Sequence, residues 1–372
     1  MRKLIYLSIL VLYSLSINAQ QIVFEKTIQA QTTDSILTAE CGIQCHDGGY
    51  MLAGYYQPNG VYAQEMLLIK TDSLGNEVWR KFYGAVPISF NIIRGIAQLP
   101  DSSYVCAAQG SFQQPDPGYL ASINSLIFRV DKNGNMMWYK EFNLGDREYI
   151  HDLAVSDTGF IAIGACKDLD KERQGTSWIV SDFEGEDVHT YVDFQGGSGT
   201  YGNSVYANNK GGYLIGMQAW RNTLFVEVDG IGHVVDSQYV GVDYHEQFTI
   251  KDHIVHNDTV LVCGSLIQDV FFLPTVYALD ENLTMIDSTI FDHNYQNNAG
   301  AKKIIYKEDK REIIIAGDYH NQERGNELFI KQFSLDFQSM WYHTIGTKKS
   351  DGIFDLIATQ DGGYLIIGRT DG

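Results

Sequence analysis

The sequence has no adjacent cysteines, no helical periodicity, little positive charge and no long apolar run beyond its first fifteen residues. Each lack removes a class of protein. Five cysteines occur, Cys41, Cys45, Cys106, Cys166 and Cys263, an odd number spread along the chain. That is no disulfide framework. Cys106 and Cys263 sit inside apolar runs and read as small core residues. Cys41 and Cys45 share a face of one predicted strand but stand too far apart for an easy bridge. Five buried thiols are expected, with one disulfide or a metal site as alternatives. Lysine and arginine number 27 against 46 acids, a formal charge of −19. A chain this acidic repels nucleic acid and anionic lipid, so neither is an expected partner, and solubility is the simplest reason for the charge. No later segment is apolar enough to cross a bilayer as a helix.

The first residues read as an export signal, residues 1–19: Arg2 and Lys3, an apolar run from Leu4 to Leu15, then Ala19 as the small residue before cleavage. Its removal takes the charge from −19 to −21, because two cations and no acid leave. With the first cysteine at Cys41, lipid anchoring at a processed N-terminus is not expected. The mature protein is expected to be secreted or held at the cell surface.

Residues 20–372 carry a repeat. His46-Asp47-Gly48-Gly49-Tyr50 returns as Gln360-Asp361-Gly362-Gly363-Tyr364, with intermediate copies ending at Tyr104, Phe160 and Tyr213 and weaker ones at Val260 and Ile313. The intervals are 54, 56, 53, 47, 53 and 51 residues. A second signature, Asp72-Ser73-Leu74-Gly75 leading to Trp79, recurs as Asp131-Lys132-Asn133-Gly134 leading to Trp138. It fades through Asp182…Gly185 and Asp229…Gly232, and Trp341 keeps only its aromatic end. Each unit reads as four short strands, A to D. Asp-Gly-Gly joins A to B, its glycines supplying positive φ, and Asp-x-x-Gly joins C to D. Four strands per repeat of this length, without helix, predict an all-β fold: a seven-bladed β-propeller of four-stranded antiparallel blades. The expected repeats are about 38–84, 91–142, 149–195, 202–240, 248–291, 300–346, and 352–372 completed by 22–28.

The last unit is assembled from both ends. Ile22–Thr27 resembles a D strand and precedes any A strand, so it is expected to close the final blade, as propellers avoid an open edge. That blade lacks a C strand, which leads to the expectation that the sequence is a piece of a longer protein.

The quoted units resemble the secreted propeller repeats of Bacteroidota, with their Asp-Gly-Gly-Tyr and Asp-x-x-Gly-Asn-x-x-Trp signatures. The likeness covers nearly all of the mature chain. It implies an exported propeller, often followed by a type nine secretion sorting domain, and no particular chemistry. The Asp-x-x-Gly-x-x-x-Trp segment is also similar to the docking motif of pyrroloquinoline-quinone propellers and, more loosely, to the sialidase Asp-box. What carries over is a structural turn at Asp72, Gly75 and Trp79.

Tests for chemistry return little. A quinoprotein needs adjacent cysteines and calcium-holding acids, and a sialidase needs an arginine cluster; neither is present. Glu40, Asp152, Asp252 and Asp355 on A strands are candidates to reach the central channel, as glycosidase carboxylates or as solvated lining. Asp131-Lys132-Asn133-Gly134-Asn135 opens like a calcium loop but lacks the twelfth-position Glu, which favours a hairpin. His151-Asp152 and Asp252-His253 are a weak metal candidate. No metal, cofactor or catalytic residue is assigned, and a monomer is expected.

Topology separates two faces. The invariant turns, Asp47-Gly48-Gly49, Asp72…Gly75, Asp131…Gly134 and Asp361-Gly362-Gly363, fall on one. The other carries the B–C loops and the D-to-A connections, which vary and are where recognition is expected. Candidate ligand-binding residues there are Tyr56, Tyr62, Phe112, Tyr119, Trp220, Arg221, Tyr244, His245, Phe271, Tyr319, His320 and Arg324. The expected function is non-catalytic binding of a glycan or protein. A glycan hydrolase or lyase with acids at the channel is the alternative, and a spacer within a larger surface protein the third reading.

Overall fold

The computed structural model describes residues 25–29, 35–59, 63–84, 90–112, 123–194, 199–219, 222–240, 247–268, 271–291, 299–308, 310–321, 325–346 and 351–370. The first blade is β1 (Ile36–Gln44), β2 (Tyr50–Gln57), β3 (Glu65–Thr71) and β4 (Glu77–Tyr83). The second is β5 (Ile92–Gln98), β6 (Tyr104–Gly110), β7 (Asn124–Val130) and β8 (Met136–Phe142). The third is β9 (Arg147–Val155), β10 (Gly159–Asp168), β11 (Arg173–Asp182) and β12 (Val188–Asp193). The fourth is β13 (Thr200–Ala207), β14 (Tyr213–Ala219), β15 (Asn222–Val228) and β16 (Val234–Val240). The fifth is β17 (Gln247–His256), β18 (Thr259–Gln268), β19 (Phe271–Leu279) and β20 (Met285–Ile290). The sixth is β21 (Ala299–Lys307), β22 (Glu312–Asn321), β23 (Gly325–Ser334) and β24 (Ser339–Ile345). Every blade is an antiparallel meander paired in chain order, and a two-stranded sheet, β25 (Asp351–Ala358) with β26 (Tyr364–Thr370), follows.

The count of blades departs from the sequence expectation: the described residues form six four-stranded blades, not seven. Of the expected closing strand, residues 25–28 are described and carry no strand, and residues 22–24 lie outside the described residues. A D strand takes its ladder from a C neighbour, and among the described residues β26 pairs with β25 alone. The β25–β26 hairpin instead lies between the sixth and first blades, β25 touching both β21 and β1.

Turn chemistry is visible atom by atom. Gly48 adopts φ 81° while the Gly49 N–H donates to Asp47 Oδ1 at 3.0 Å. In the C–D turn, Leu74 and Asn76 N–H groups donate to Asp72 Oδ1 at 2.9 and 2.8 Å, and Gly75 takes φ 75°. Asp131 repeats this with Asn133 and Asn135, both at 2.8 Å. At Asp361 the Gly363 N–H donates at 3.1 Å, with Gly362 at φ 77°. Where the signatures fade, the same left-handed position is taken by ordinary residues: Ser102, Asn257 and Arg311 in A–B turns, Leu283 and Phe337 in C–D turns.

The core lies between blades. Met51 and Leu68 of the first blade meet Ile93, Cys106 and Phe128 of the second in one buried cluster, and each later junction repeats the arrangement. The second strands are buried on both faces, with β6 and β14 buried throughout, which is why their sequences are apolar without alternation. All five cysteines are buried and unpaired. In the first three blades a D-strand aromatic residue packs on the C–D turn glycine of the next blade. A Cβ on Gly134 would lie 2.8 Å from the Trp79 ring, on Gly185 3.1 Å from Trp138, and on Gly232 2.6 Å from Tyr191. Trp341 continues the series, stacked against Tyr364 of the hairpin with ring centroids 6.3 Å apart.

Candidate functional site

Of the loop-face candidates, Tyr62, Tyr119, Trp220, Arg221, Tyr244, His245 and Arg324 lie outside the described residues. Five are placed, and they divide. Tyr56 packs on Phe82 with centroids 5.1 Å apart and donates its hydroxyl to Ser35 Oγ at 3.1 Å. Phe112 folds inward onto Phe128 and Tyr139, at 5.9 and 4.6 Å between centroids. Tyr319 is 9% exposed and its hydroxyl bonds the Glu327 carboxylate. These three belong to the scaffold. Phe271 remains 44% exposed where the β18–β19 hairpin turns, beside Phe272 at 39%. His320 is exposed on the equivalent hairpin of the next blade, its Nδ1 3.0 Å from Asn326 Oδ1. Two further exposed apolar groups on this face, Phe90 and Leu169, are missing from the sequence candidates. Both stand in the variable segments, and the aromatic-with-cation pattern used as a signal passed over them.

The second candidate is the central channel, built by a repeated backbone device. Each innermost strand carries a β-bulge at the same register, at Glu40, Arg94, His151, Asn203, Lys251, Lys302 and Phe354. The residues that follow are Cys41, Gly95, Asp152, Ser204, Asp252, Lys303 and Asp355. Three are aspartates in the same role. Asp152 Oδ1 accepts from the Leu153 N–H at 2.9 Å, and its Oδ2 accepts from Val205 of the next blade at 2.8 Å. Asp252 takes His253 at 3.0 Å and Ile304 of the next blade at 3.1 Å. Asp355 takes Leu356 at 2.9 Å and, across the closure, Gly42 of the first blade at 3.0 Å. The bulge residues reach across too. His151 Nδ1 donates to the Gly202 carbonyl at 2.6 Å, Asn203 Nδ2 to Ile250 at 2.7 Å, and Arg94 pairs with Glu40 at 2.6 Å.

Lys303 supplies a cation to the aspartates, its Nζ 3.5 Å from Asp355 Oδ1. Burial alone would lower its pKa, yet Asp355, Asp252 and Asp152 together hold it well above the usual lysine value. Burial pushes Asp252 up to about 7, with Lys303 opposing and Asp152 adding to the rise. Asp152 is raised for the same first reason, and burial outweighs Arg94 in raising Glu40. Burial keeps His151 neutral with a pKa of about 4, and His253 with one of about 3.

Glu40, Asp152, Asp252 and Asp355 thus all stand on the innermost ring, whereas the two histidines do not converge. Asp152 and Asp252 share a register position, but His151 precedes its aspartate and His253 follows. His253 is buried between blades, 2.6 Å from Ser204 Oγ. Among the described residues no group of three or more His, Cys, Asp and Glu is placed to hold a metal ion. Arg94 and Lys303 were missed in the sequence, and aligning the A strands on their bulges is the signal that finds them.

No protein-family model matches the chain, and no curated protein matches it. Solved structures do. A protein from Lactobacillus plantarum is similar with a TM-score of 0.55 at 9% identity, over 85% of this chain and 87% of that one. Sqt1 from Chaetomium thermophilum has a TM-score of 0.50 at 10% identity, over 90% and 96%. Puromycin hydrolase has 0.52 at 11% identity, over 88% of this chain and 49% of its own. At such identities the likeness is one of fold, and with the strand order above it makes this chain a β-propeller of four-stranded antiparallel blades.

Proposed function

We propose that the chain is an exported, non-catalytic propeller, similar to those secreted by Bacteroidota, that binds a glycan or a protein partner through its loop-bearing face. The observation that carries this reading is the Phe271–Phe272 pair, two neighbouring aromatic side chains left in water at a hairpin tip on a rigid scaffold. Each gives up part of the roughly 1.5–3 kcal/mol that full burial of such a side chain supplies. Adjacent exposed aromatics are the chemistry of recognition hot spots, able to stack on a sugar face or fill a pocket.

The enzymatic alternative has weaker support. A channel glycosidase needs one carboxyl free to give up a proton and another free to take one or to attack. Here both oxygens of Asp152, Asp252 and Asp355 are bonded to backbone N–H groups, one of them in the neighbouring blade. Those bonds describe structural clasps.

A glycan array and a pull-down from extracellular material, each run with the native chain and with Phe271→Ala/Phe272→Ala, test the reading. Loss of binding by tenfold or more in the variant supports it, and the assay that responds separates glycan from protein. Binding unchanged by the double substitution overturns it. Polysaccharide cleavage abolished by Asp252→Asn would instead establish the enzyme.

A further inference from the structure

Acids outnumber bases 46 to 27 along the chain, but the bulge ring on the axis reverses that balance. There Arg94, Lys251 and Lys302 stand against Glu40 alone. Two of the three cations are matched. Arg94 pairs with Glu40 at 2.6 Å, and Lys302 pairs with Asp318 of its own blade and donates to the Ile353 carbonyl at 3.5 Å. Lys251 is not matched: among the described residues its ammonium has no ion pair and no hydrogen bond. It stays open to solvent, while Ile250 before it is buried. Charges on the ring act across it, since Arg94 of the second blade and Lys251 of the fifth both assist burial in lowering the His151 imidazole of the third. Burial also lowers the Lys251 amine, and Lys302 lowers it further, with Asp318 opposing. The aspartates of the adjoining ring are no counter-ions for it. Both oxygens of each are bonded to backbone N–H groups, and the cation they face is Lys303.

We propose that Lys251 and Lys302 hold a small carboxylate ligand inside the channel, each ammonium donating to one of its oxygens. Charge selects the ligand class. One cation of the ring is unmatched, so one negative charge neutralises it. A phosphate dianion would bring a second charge up against Glu40 and Asp318. A neutral sugar would leave the repulsion between the two ammonium groups in place. Donors are also at hand: Lys302 spends two of its three N–H groups on Asp318 and Ile353, and Lys251 spends none among the described residues. Walls of protein around the axis strengthen such a pair over its value in open water. Lys251 makes no joint between blades, so a ligand there displaces no clasp. The site is separate from the loop face, so either proposal can fail without the other.

Acetate, glucuronate and inorganic phosphate are the probes, titrated calorimetrically into the full chain at low ionic strength, with glucose as the uncharged counterpart of glucuronate. Saturable binding of acetate or glucuronate is expected, one per chain, with no heat from glucose. Tighter glucuronate assigns the carboxylate to an acidic sugar, and tighter acetate assigns it to a small free acid. Lys251→Met should weaken binding at least tenfold, while Lys251→Arg keeps it within about threefold because the charge remains. In the native chain, the bound carboxylate should slow acetylation of Lys251 by an amine-directed reagent at least fivefold, read by mass spectrometry. No binding of either carboxylate, equal binding of glucose, or phosphate bound more tightly than both would overturn the proposal. Binding that Lys251→Met leaves unchanged, or that leaves Lys251 unprotected, would overturn it as well.

Discussion

Replacing Asp252 by asparagine should flatten the pH dependence of stability in a calculable way. Burial pushes the Asp252 carboxyl up to about 7 in the folded protein, against about 3.9 for an aspartate in an unfolded chain. Between those values the native state holds a proton that the unfolded state has released. Stability from this group is therefore complete below pH 4 and lost as the pH rises through 7. Between pH 5 and pH 8 the loss amounts to roughly 2.5 kcal/mol. Asp252→Asn has no proton to lose, and the other channel groups titrate in both proteins, so they largely cancel in the difference. The assay is urea denaturation followed by tryptophan fluorescence at pH 5, 6, 7 and 8 and constant ionic strength. The native chain should lose about 2–3 kcal/mol more than the variant over that range. Parallel curves would refute the claim that the inter-blade carboxylate is held protonated by burial.

Four further substitutions test other parts of the reasoning. Lys303→Met leaves Asp152, Asp252 and Asp355 without its compensating charge, and should cost about 3–5 kcal/mol at pH 8 in the same assay. Part of that should return at pH 5, where Asp252 regains its proton; a cost independent of pH would count against it. Gly134→Ala meets both a left-handed backbone and the Trp79 ring 2.8 Å from the new Cβ. Thermal melts should show a loss of about 2–4 kcal/mol. Gly211→Ala has the same handedness but open space, and should lose only about 1–2 kcal/mol; equal losses would show that docking of the turn on Trp79 contributes nothing. Arg311→Asn relieves an exposed left-handed arginine and should gain about 0.5–1 kcal/mol, an unchanged or lower melting midpoint being the contrary result.

Much of the fold was legible because one turn chemistry repeats. Asp-Gly-Gly and Asp-x-x-Gly mark strand ends wherever glycine or a capping aspartate survives, and the buried second and third strands show as apolar runs. Blades with degenerate signatures still formed, because pairing with the neighbouring strands forces Leu283 or Phe337 into the left-handed position that glycine holds elsewhere. The N-terminal strand failed for the converse reason. Its local pattern is sound, but a strand is defined by its ladder, and the described residues 25–29 form none. At the candidate site, aromatic character alone did not separate Phe271, which faces water, from Phe112, which folds onto Phe128. That difference depends on which way a loop turns. The channel charges were half legible: the aspartates stand out in apolar strands, while Lys303 joins them only once the bulges set the register.

The bulges also explain why acids and cations are kept at the centre of the ring. A bulge leaves one strand residue out of its ladder, so backbone groups at the innermost edge need other partners. At alternate junctions an aspartate bonds a neighbouring N–H, beside His151 where the third and fourth blades meet, and at others an asparagine or arginine side chain crosses between blades. Side chains with this duty are fixed by the fold and cannot vary freely with a ligand. The second and third blades meet differently: a Cβ on Gly95 would lie 2.5 Å from Leu153, and the polar clasp there sits further along β9, where buried Glu148 accepts from the Ser125 N–H of the second blade at 2.8 Å. With the channel occupied by joints, the surface left free to diversify is the loop face, and the exposed Phe271, Phe272, Phe90 and Leu169 all stand there.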